Sequence, residues 1–262
     1  MADLSSHNRT IVDQHNQQAQ GYATLTQSLS QADRSAAMRA RIGAGPDDDV
    51  LDVACGPGRL TLDLAPHVRS VTGLDLTPGM LEQARAALTA SGCDNVTLVE
   101  GDALAMPFAD GTFSVVISSA AFHHFEAPGR VLAEMVRVCR PGGRIVVSDV
   151  TPEPDKAAEY DRMELLRDPS HGHAHPVDEL ASLGAVLGLA EPEVHTSLTG
   201  PMSYAAVLET SFPKAQTREE LLEMMREDAA GGGDRLGFKA ELRGGEVLVT
   251  YPMSQVVWTQ VS

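Results

Sequence analysis

Aromatic residues are scarce. They make up 4% of the 262-residue chain, so its core must be built mainly from Ala, Val, Leu, Ile and Met. Basic residues are outnumbered, 20 Lys and Arg against 36 Asp and Glu, for a formal charge of −16. Nucleic acids and anionic membranes are polyanions held largely by Lys and Arg, so this balance argues against both as partners. Only three cysteines occur, Cys55, Cys93 and Cys139, with no CxxC or other short spacing. Such a set fits free thiols in a reducing compartment rather than a disulfide framework. No apolar run approaches the ~18 residues needed to cross a bilayer. The opening MADLSSHNRTIVDQHNQQ is polar and lacks the apolar stretch of a secretory signal. The expectation is a soluble, cytoplasmic protein.

What is present points to an α/β domain. Hydrophobic residues form 43% of the chain, enough for one large domain or a domain with a small cap. From about residue 50, short apolar runs alternate with helical stretches. Val50–Ala54, Ser70–Leu76, Val96–Val99, Phe113–Ser118 and Arg144–Val150 read as strands, and Arg59–Val68, Pro78–Ala90 and Pro128–Arg140 as helices between them. Strand–helix–strand units with short loops imply parallel pairing and right-handed crossovers, hence a doubly wound sheet whose ligands bind at the carboxyl ends of its strands. Further along, His175–Leu189, Ser203–Thr210 and Thr217–Ala229 read as helices, the last opening on a Thr-Arg-Glu-Glu capping box. Phe238–Leu242 and Val247–Tyr251 read as a hairpin, and Glu193–Leu198 and Gln255–Val261 as strands. The expected organisation is an N-terminal helical segment over 1–47, an α/β core over 48–198, a helical cap over 199–240 and final antiparallel strands of the core sheet over 241–262.

The stretch VLDVACGPGRLT, residues 50–61, joins an apolar strand to a helix through Gly56-Pro57-Gly58. A dinucleotide fingerprint needs a third small residue, but Leu60 and Thr61 stand in its place. Asp52 lies inside the strand, Asp75 closes the next strand at the usual distance for a ribose-binding carboxylate, and Asp102 closes the third. Three acids around a loop whose only basic residue is Arg59 make a poor pyrophosphate site. They suit a ligand with a sulfonium, an ammonium, a ribose and an adenine, which is S-adenosylmethionine.

The segments VLDVACGPGRLT, VTGLDLTPGMLEQA, GDALAMPFADGTFSVVISSAAFHHF and VLAEMVRVCRPGGRIVVSDV resemble, in order and spacing, the class I S-adenosylmethionine-dependent methyltransferases. Within them, the resemblance is strongest to small-molecule enzymes related to the quinone-biosynthesis C-methyltransferases. The N-terminal HNQQAQGYA and the later RDPSH resemble this subgroup more loosely. The resemblance implies a Rossmann-like, mostly parallel seven-stranded sheet with a helical cap, the N-terminal segment covering the cofactor site. It implies that Asp52, Ala54, Gly56 and Gly58 line the methionine part of the cofactor and that Asp75 binds the ribose hydroxyls. Leu76 and Met80 would flank the adenine, Asp102 would accept from its amino group, and Ala103 would add a backbone contact. Ser118 and Ser119 would face the sulfonium, and Tyr22 would close over the cofactor.

Methyl transfer is an in-line displacement whose main requirement is alignment in a water-poor pocket. A base is needed only where the nucleophile loses a proton. His123 and His124, directly after the fourth strand, are the best-placed candidates, and the sequence does not rank them. His171, His173 and His175 in HGHAH form a second cluster with Asp168 and Asp178 nearby. Alternating histidines can chelate a transition metal, but the displacement needs none and no metal-motif spacing is present, so no metal is assigned. The loop reads either as solvated or as lining an acceptor pocket with Met163, Met202 and Tyr204. The expected activity is methyl transfer to a carbon, oxygen or nitrogen of a small, partly apolar metabolite. The alternatives are a protein that binds S-adenosylmethionine without methyl transfer, as rearrangement catalyst or sensor, and a nicotinamide-dependent oxidoreductase, which Leu60 and the run of acids disfavour.

Overall fold

The structure is a computed structural model that describes residues 5–28, 32–211, 213 and 215–260. Two helices, α1 (Ser6–Ser28) and α2 (Ala32–Ile42), precede the first strand, β1 (Asp49–Val53). The chain continues through α3 (Arg59–Leu64), β2 (Ser70–Asp75), α4 (Pro78–Ser91), β3 (Val96–Glu100), β4 (Phe113–Ser119), α5 (Pro128–Val138) and β5 (Cys139–Val150). It then forms α6 (Ala157–Arg167), α7 (Val177–Val186), β6 (Glu193–Leu198), β7 (Met202–Ser203), α8 (Tyr204–Ser211) and α9 (Ala215–Gly231). The last elements are β8 (Glu241–Arg243), β9 (Glu246–Val249) and β10 (Pro252–Thr259). No described helix is long and apolar enough to cross a membrane.

Seven strands make the main sheet in the order β3-β2-β1-β4-β5-β10-β6, parallel except for β10, which runs antiparallel to both neighbours. Side chains on a strand alternate between faces, and both faces here are covered. Leu51, Val53, Val116 and Val147 enter one core with Leu132 and Met135 of α5. Their neighbours Val50, Val115, Ile117 and Val146 enter the opposite core with Ile42, Leu60 and Leu64. This two-sided burial is why the strands read as continuous apolar runs. The strand order reverses between β1 and β4, so the crevice beyond their carboxyl ends is the topological switch point where such sheets bind ligands.

On the far side of the sheet, α7 presses Gly184 against Trp258 of β10. A Cβ built on Gly184 would stand 2.2 Å from the indole Nε1. Alanine in a helix normally gains about 1 kcal/mol over glycine, but overpacking a full core costs about 1–3 kcal/mol and wins here. Gly184→Ala is therefore expected to lower the melting temperature, which thermal denaturation checks; an unchanged or raised value would contradict this packing.

Several boundaries differ from the sequence reading. The hairpin β8–β9 does not join the main sheet; it pairs with β7 in a separate three-stranded sheet, β7-β9-β8. The reason lies in its apolar face: Val247 and Val249 pack with Phe238, Tyr204 and Leu208 in a third core, inside the cap. Only Pro252–Thr259 returns to the main sheet, where Val256, Val257 and Trp258 are buried. The cap thus extends past residue 240, and α6, which sequence periodicity did not single out, supplies it with Tyr160 and Met163. Thr217 is not a cap residue, because α9 already starts at Ala215. The Arg-Pro-Gly-Gly run after α5 belongs to β5, with Gly142 left-handed at φ 75° and a register shift between Phe113 and Val115 of β4 beside it.

Candidate active site

A cavity of about 350 Å³ opens at the switch point, between the glycine turn, the cap and α1. Its floor is the turn after β1. Ala54, Gly56 and Gly58 all have left-handed backbones, with φ of 57°, 55° and 80°. Ala54 therefore holds a conformation that glycine adopts with less strain. A Cβ on Gly56 would meet no protein atom within 4 Å, so the glycine leaves ligand space open. Gly58 has a different role from the one expected. It is the N-cap of α3 and does not line the cavity; a Cβ there would stand 3.1 Å from the Cβ of Ala84 on α4.

Asp75 ties the end of β2 to this turn. One carboxylate oxygen accepts the Gly56 N–H at 2.8 Å and the other the Thr77 N–H at 2.8 Å. Asp52 accepts the Thr61 hydroxyl at 2.6 Å. Both acids line the cavity, both are buried, and neither forms an ion pair among the described residues. Burial raises the Asp75 pKa against the pull of its two N–H donors. Burial likewise pushes Asp52 up to about 7, opposed by the Thr61 hydrogen bond and helped by the charge of Asp75. The unfolded chain releases the Asp52 proton near ~3.9, so between about pH 4 and 7 the folded state holds a proton that the unfolded state has lost. Stability of the ligand-free protein should fall as pH rises through that window, by on the order of 4 kcal/mol at most. Asp52→Asn should flatten that fall in denaturant titrations across pH; an unchanged slope would contradict it.

Leu76 and Met80, before and within the first turn of α4, and Asp102 and Ala103, after β3, all lie on the cavity wall. Asp102 accepts the Leu104 N–H at 2.9 Å and the side-chain amide of Asn8 at 3.3 Å. That second contact belongs to a strap. The Asn- and Gln-rich α1 lies across the site, its Asn16 accepting the Gly79 N–H at 3.0 Å and its Gln18 donating to Asp168 at 3.0 Å. The amides that make α1 a weakly amphipathic helix are spent on bridging the site. The side chain of Tyr22 lies outside the described residues.

Ser119 lines the cavity, but Ser118 does not. Ser118 is buried between strands, donating to the Val53 carbonyl at 3.0 Å, because successive residues of β4 point to opposite faces. The chain then turns sharply at Ala120 (φ 53°) into a short helical turn, Phe122–His124, which brings both histidines onto the cavity wall. The two are not equivalent. His123 is gripped by Asp149 near the end of β5: Nδ1 meets Oδ1 at 2.7 Å, and the His123 N–H donates to Oδ2 at 3.1 Å. Its Nε2 has no partner among the described residues. Burial lowers the His123 pKa, and the Asp149 carboxylate outweighs it, leaving the pKa raised. His124 donates from Nδ1 to the Ser170 carbonyl at 2.9 Å, and burial, with His123 and His15 beside it, depresses its pKa strongly.

The HGHAH loop divides. His171 is buried on the cavity wall with Nε2 2.7 Å from Asp161. His173, 41% exposed, lies outside between Asp161 and Glu179, and His175 leans on Glu179 at 3.4 Å. Met202 lines the cavity, whereas Met163 and Tyr204 are buried in the cap core. Sequence reasoning passed over His15, Asp149, Glu164 and Arg167. Asp149 carried a signal, an acid closing a strand at the same sheet end as Asp75. The buried Arg167–Glu164 pair, with Arg167 donating to Ser211 at 2.6 Å, belongs to the unforeseen α6.

Residues 50–143 match the family described as a methyltransferase domain. The chain is 31% identical over 147 residues to YcgJ of Bacillus subtilis, an uncharacterized methyltransferase, covering 55% of this chain and 58% of YcgJ. It is 43% identical over 105 residues to the demethylmenaquinone methyltransferase of Symbiobacterium thermophilum, covering 38% of this chain and 42% of that one. A solved structure from Bacillus halodurans, assigned to the methyltransferases, superposes with a TM-score of 0.78 at 26% identity over 87% of this chain and 99% of that one. The chain spans about half the length of the curated relatives it matches. Residues 50–143 thus match a methyltransferase domain, and in sequence and fold the chain is similar to methyltransferases, demethylmenaquinone methyltransferases among them. The cradle suits S-adenosylmethionine: it offers space at Gly56 and two buried acids that form no ion pair among the described residues.

Proposed function

We propose that the chain transfers the methyl group of S-adenosylmethionine to an oxygen, nitrogen or acidic carbon of a small, partly apolar molecule. The bound cofactor supplies a methyl group on a sulfonium, an electrophile that needs no further activation. The observation that carries the reading is the His123–Asp149 pair, set in the same cavity as the acid-lined glycine turn.

In this reading, the Gly56 turn and Asp52 receive the cationic amino acid end and Asp75 the ribose hydroxyls. Leu76 and Met80 pack on the adenine, with Asp102 and Ala103 at its edge and Ser119 toward the sulfonium. Asp149 holds Nδ1–H of His123, so that Nε2 is the nitrogen free to accept a proton. Nε2 of His123 would take the one proton the acceptor loses on gaining the methyl group, the sulfonium would leave with the carbon–sulfur electron pair, and Asp149 would offset the imidazolium charge. Such proton transfer contributes about 10²–10⁴-fold, and alignment can be worth ~7–11 kcal/mol. Val207, Met202, Met253 and the rings of Tyr160 and Tyr251 wall the cap end, which supports a partly apolar acceptor.

The test is incubation with methyl-labelled S-adenosylmethionine and a small-metabolite extract. Label should appear in one small molecule, in step with S-adenosylhomocysteine. A compound that rearranges without S-adenosylhomocysteine would favour the reading without methyl transfer, and bound S-adenosylmethionine with no label transferred would count against the proposal.

A further inference from the structure

We propose that His15, His124 and Asp168 form a site for one divalent transition-metal ion, of the zinc, cobalt or nickel kind, where the cofactor cradle meets the cap. This goes beyond methyl transfer and does not depend on it. The residues come from three separate elements: α1, the turn after β4 and the end of α6. Each offers one ligand atom, and these atoms all lie within 4.8 Å of one another. Ligands sharing an ion at roughly 2.1 Å stand about 3.4 Å apart, so side-chain adjustments of about an ångström close the site.

The surroundings are arranged as around a metal ligand set. Ser170 serves two members at once. Its carbonyl takes Nδ1–H of His124 at 2.9 Å, which leaves Nε2 as the nitrogen with a free lone pair. Its N–H and hydroxyl donate to one oxygen of Asp168 at 2.9 and 2.5 Å, and Gln18 donates to the other at 3.0 Å. Partners of this kind fix ligand orientation and tautomer in metal centres. The His15 ring lines the same cavity and has no hydrogen-bond partner among the described residues, and its edge meets the His124 ring at a centroid distance of 4.8 Å.

Two imidazoles and one carboxylate select transition metals over magnesium or calcium, which prefer oxygen donors. All three side chains face the cavity, so an ion there would keep open positions toward a bound hydroxyl, thiol or carboxylate. The second close group, His173, His175 and Glu179, is a weaker candidate. Both ring nitrogens of His173 are already engaged, by Asp161 and Glu179, and Glu179 is exposed.

The experiment is titration of chelator-treated, untagged full-length protein with cobalt(II), followed by its visible absorption, and competition with zinc(II) by calorimetry. Wild type should bind one equivalent at this site. His15→Ala, His124→Ala and Asp168→Asn should each weaken it by about 100-fold or more, whereas His173→Ala should leave it intact. His15→Ala sits on the covering helix, so it serves where His124→Ala fails to fold. Absence of binding to wild type, binding that survives His15→Ala and Asp168→Asn, or binding lost in His173→Ala would each overturn the proposal.

Discussion

Asp75→Ala is expected to weaken S-adenosylmethionine binding by about 10²–10⁴-fold while leaving the fold intact. A hydrogen bond to a charged group is worth about 1.5–3 kcal/mol, and in the proposed complex the carboxylate meets two ribose hydroxyls. Truncation also frees the Gly56 N–H, which Asp75 holds at 2.8 Å, so the turn that receives the rest of the cofactor loses its tether to β2. The fold should survive because the cost runs the other way. Burial disfavours the charged form of Asp75, so its removal relieves desolvation while Val71 and Leu74 keep β2 in the core. Calorimetry of wild type and Asp75→Ala with S-adenosylmethionine and S-adenosylhomocysteine, beside thermal melts, reads the two effects separately. An alanine variant that binds within a few-fold of wild type would place the cofactor elsewhere.

Asp75 also marks how far the sequence could be read. The sheet was legible because both of its faces are buried: runs such as Val115–Ile117 and Ile145–Val147 are apolar throughout, and Gly, Pro or Asp lie close by in the sequence. Much of the cavity wall was legible because it sits at strand ends, where one turn or one acid per strand gives a fixed spacing. Side-chain direction was not. Ser118 and Ser119 are neighbours in sequence, but the pleat sends one between the strands and the other to the cavity. Gly58 looked like part of the cradle because its left-handed turn and its approach to Ala84 leave the same trace, a glycine. The cap was least legible. Its hairpin has the same alternation whether it extends the main sheet or folds over Tyr204 and Phe238, and only tertiary packing decides. The asymmetry of His123 and His124 was likewise set by residues distant in sequence, Asp149 for one and Ser170 for the other.

That asymmetry yields the second large effect. His123→Asn should lower kcat by about 10²–10⁴-fold, the usual worth of a positioned base, with S-adenosylmethionine affinity near wild type. Asp149→Asn should come close to the same loss by a different route. An amide can offer its N–H to Nδ1, which forces the proton onto Nε2 and leaves no lone pair facing the acceptor. The two changes remove one function, so the double variant should be little worse than the poorer single one. A merely structural role for the pair predicts instead losses that add, together with lowered melting temperatures, since Asp149 also binds the His123 N–H at 3.1 Å. Single-turnover rates with saturating cofactor separate the two cases. If His123→Asn keeps kcat within about threefold of wild type, the nucleophile reacts without a base, and what the site supplies is alignment alone.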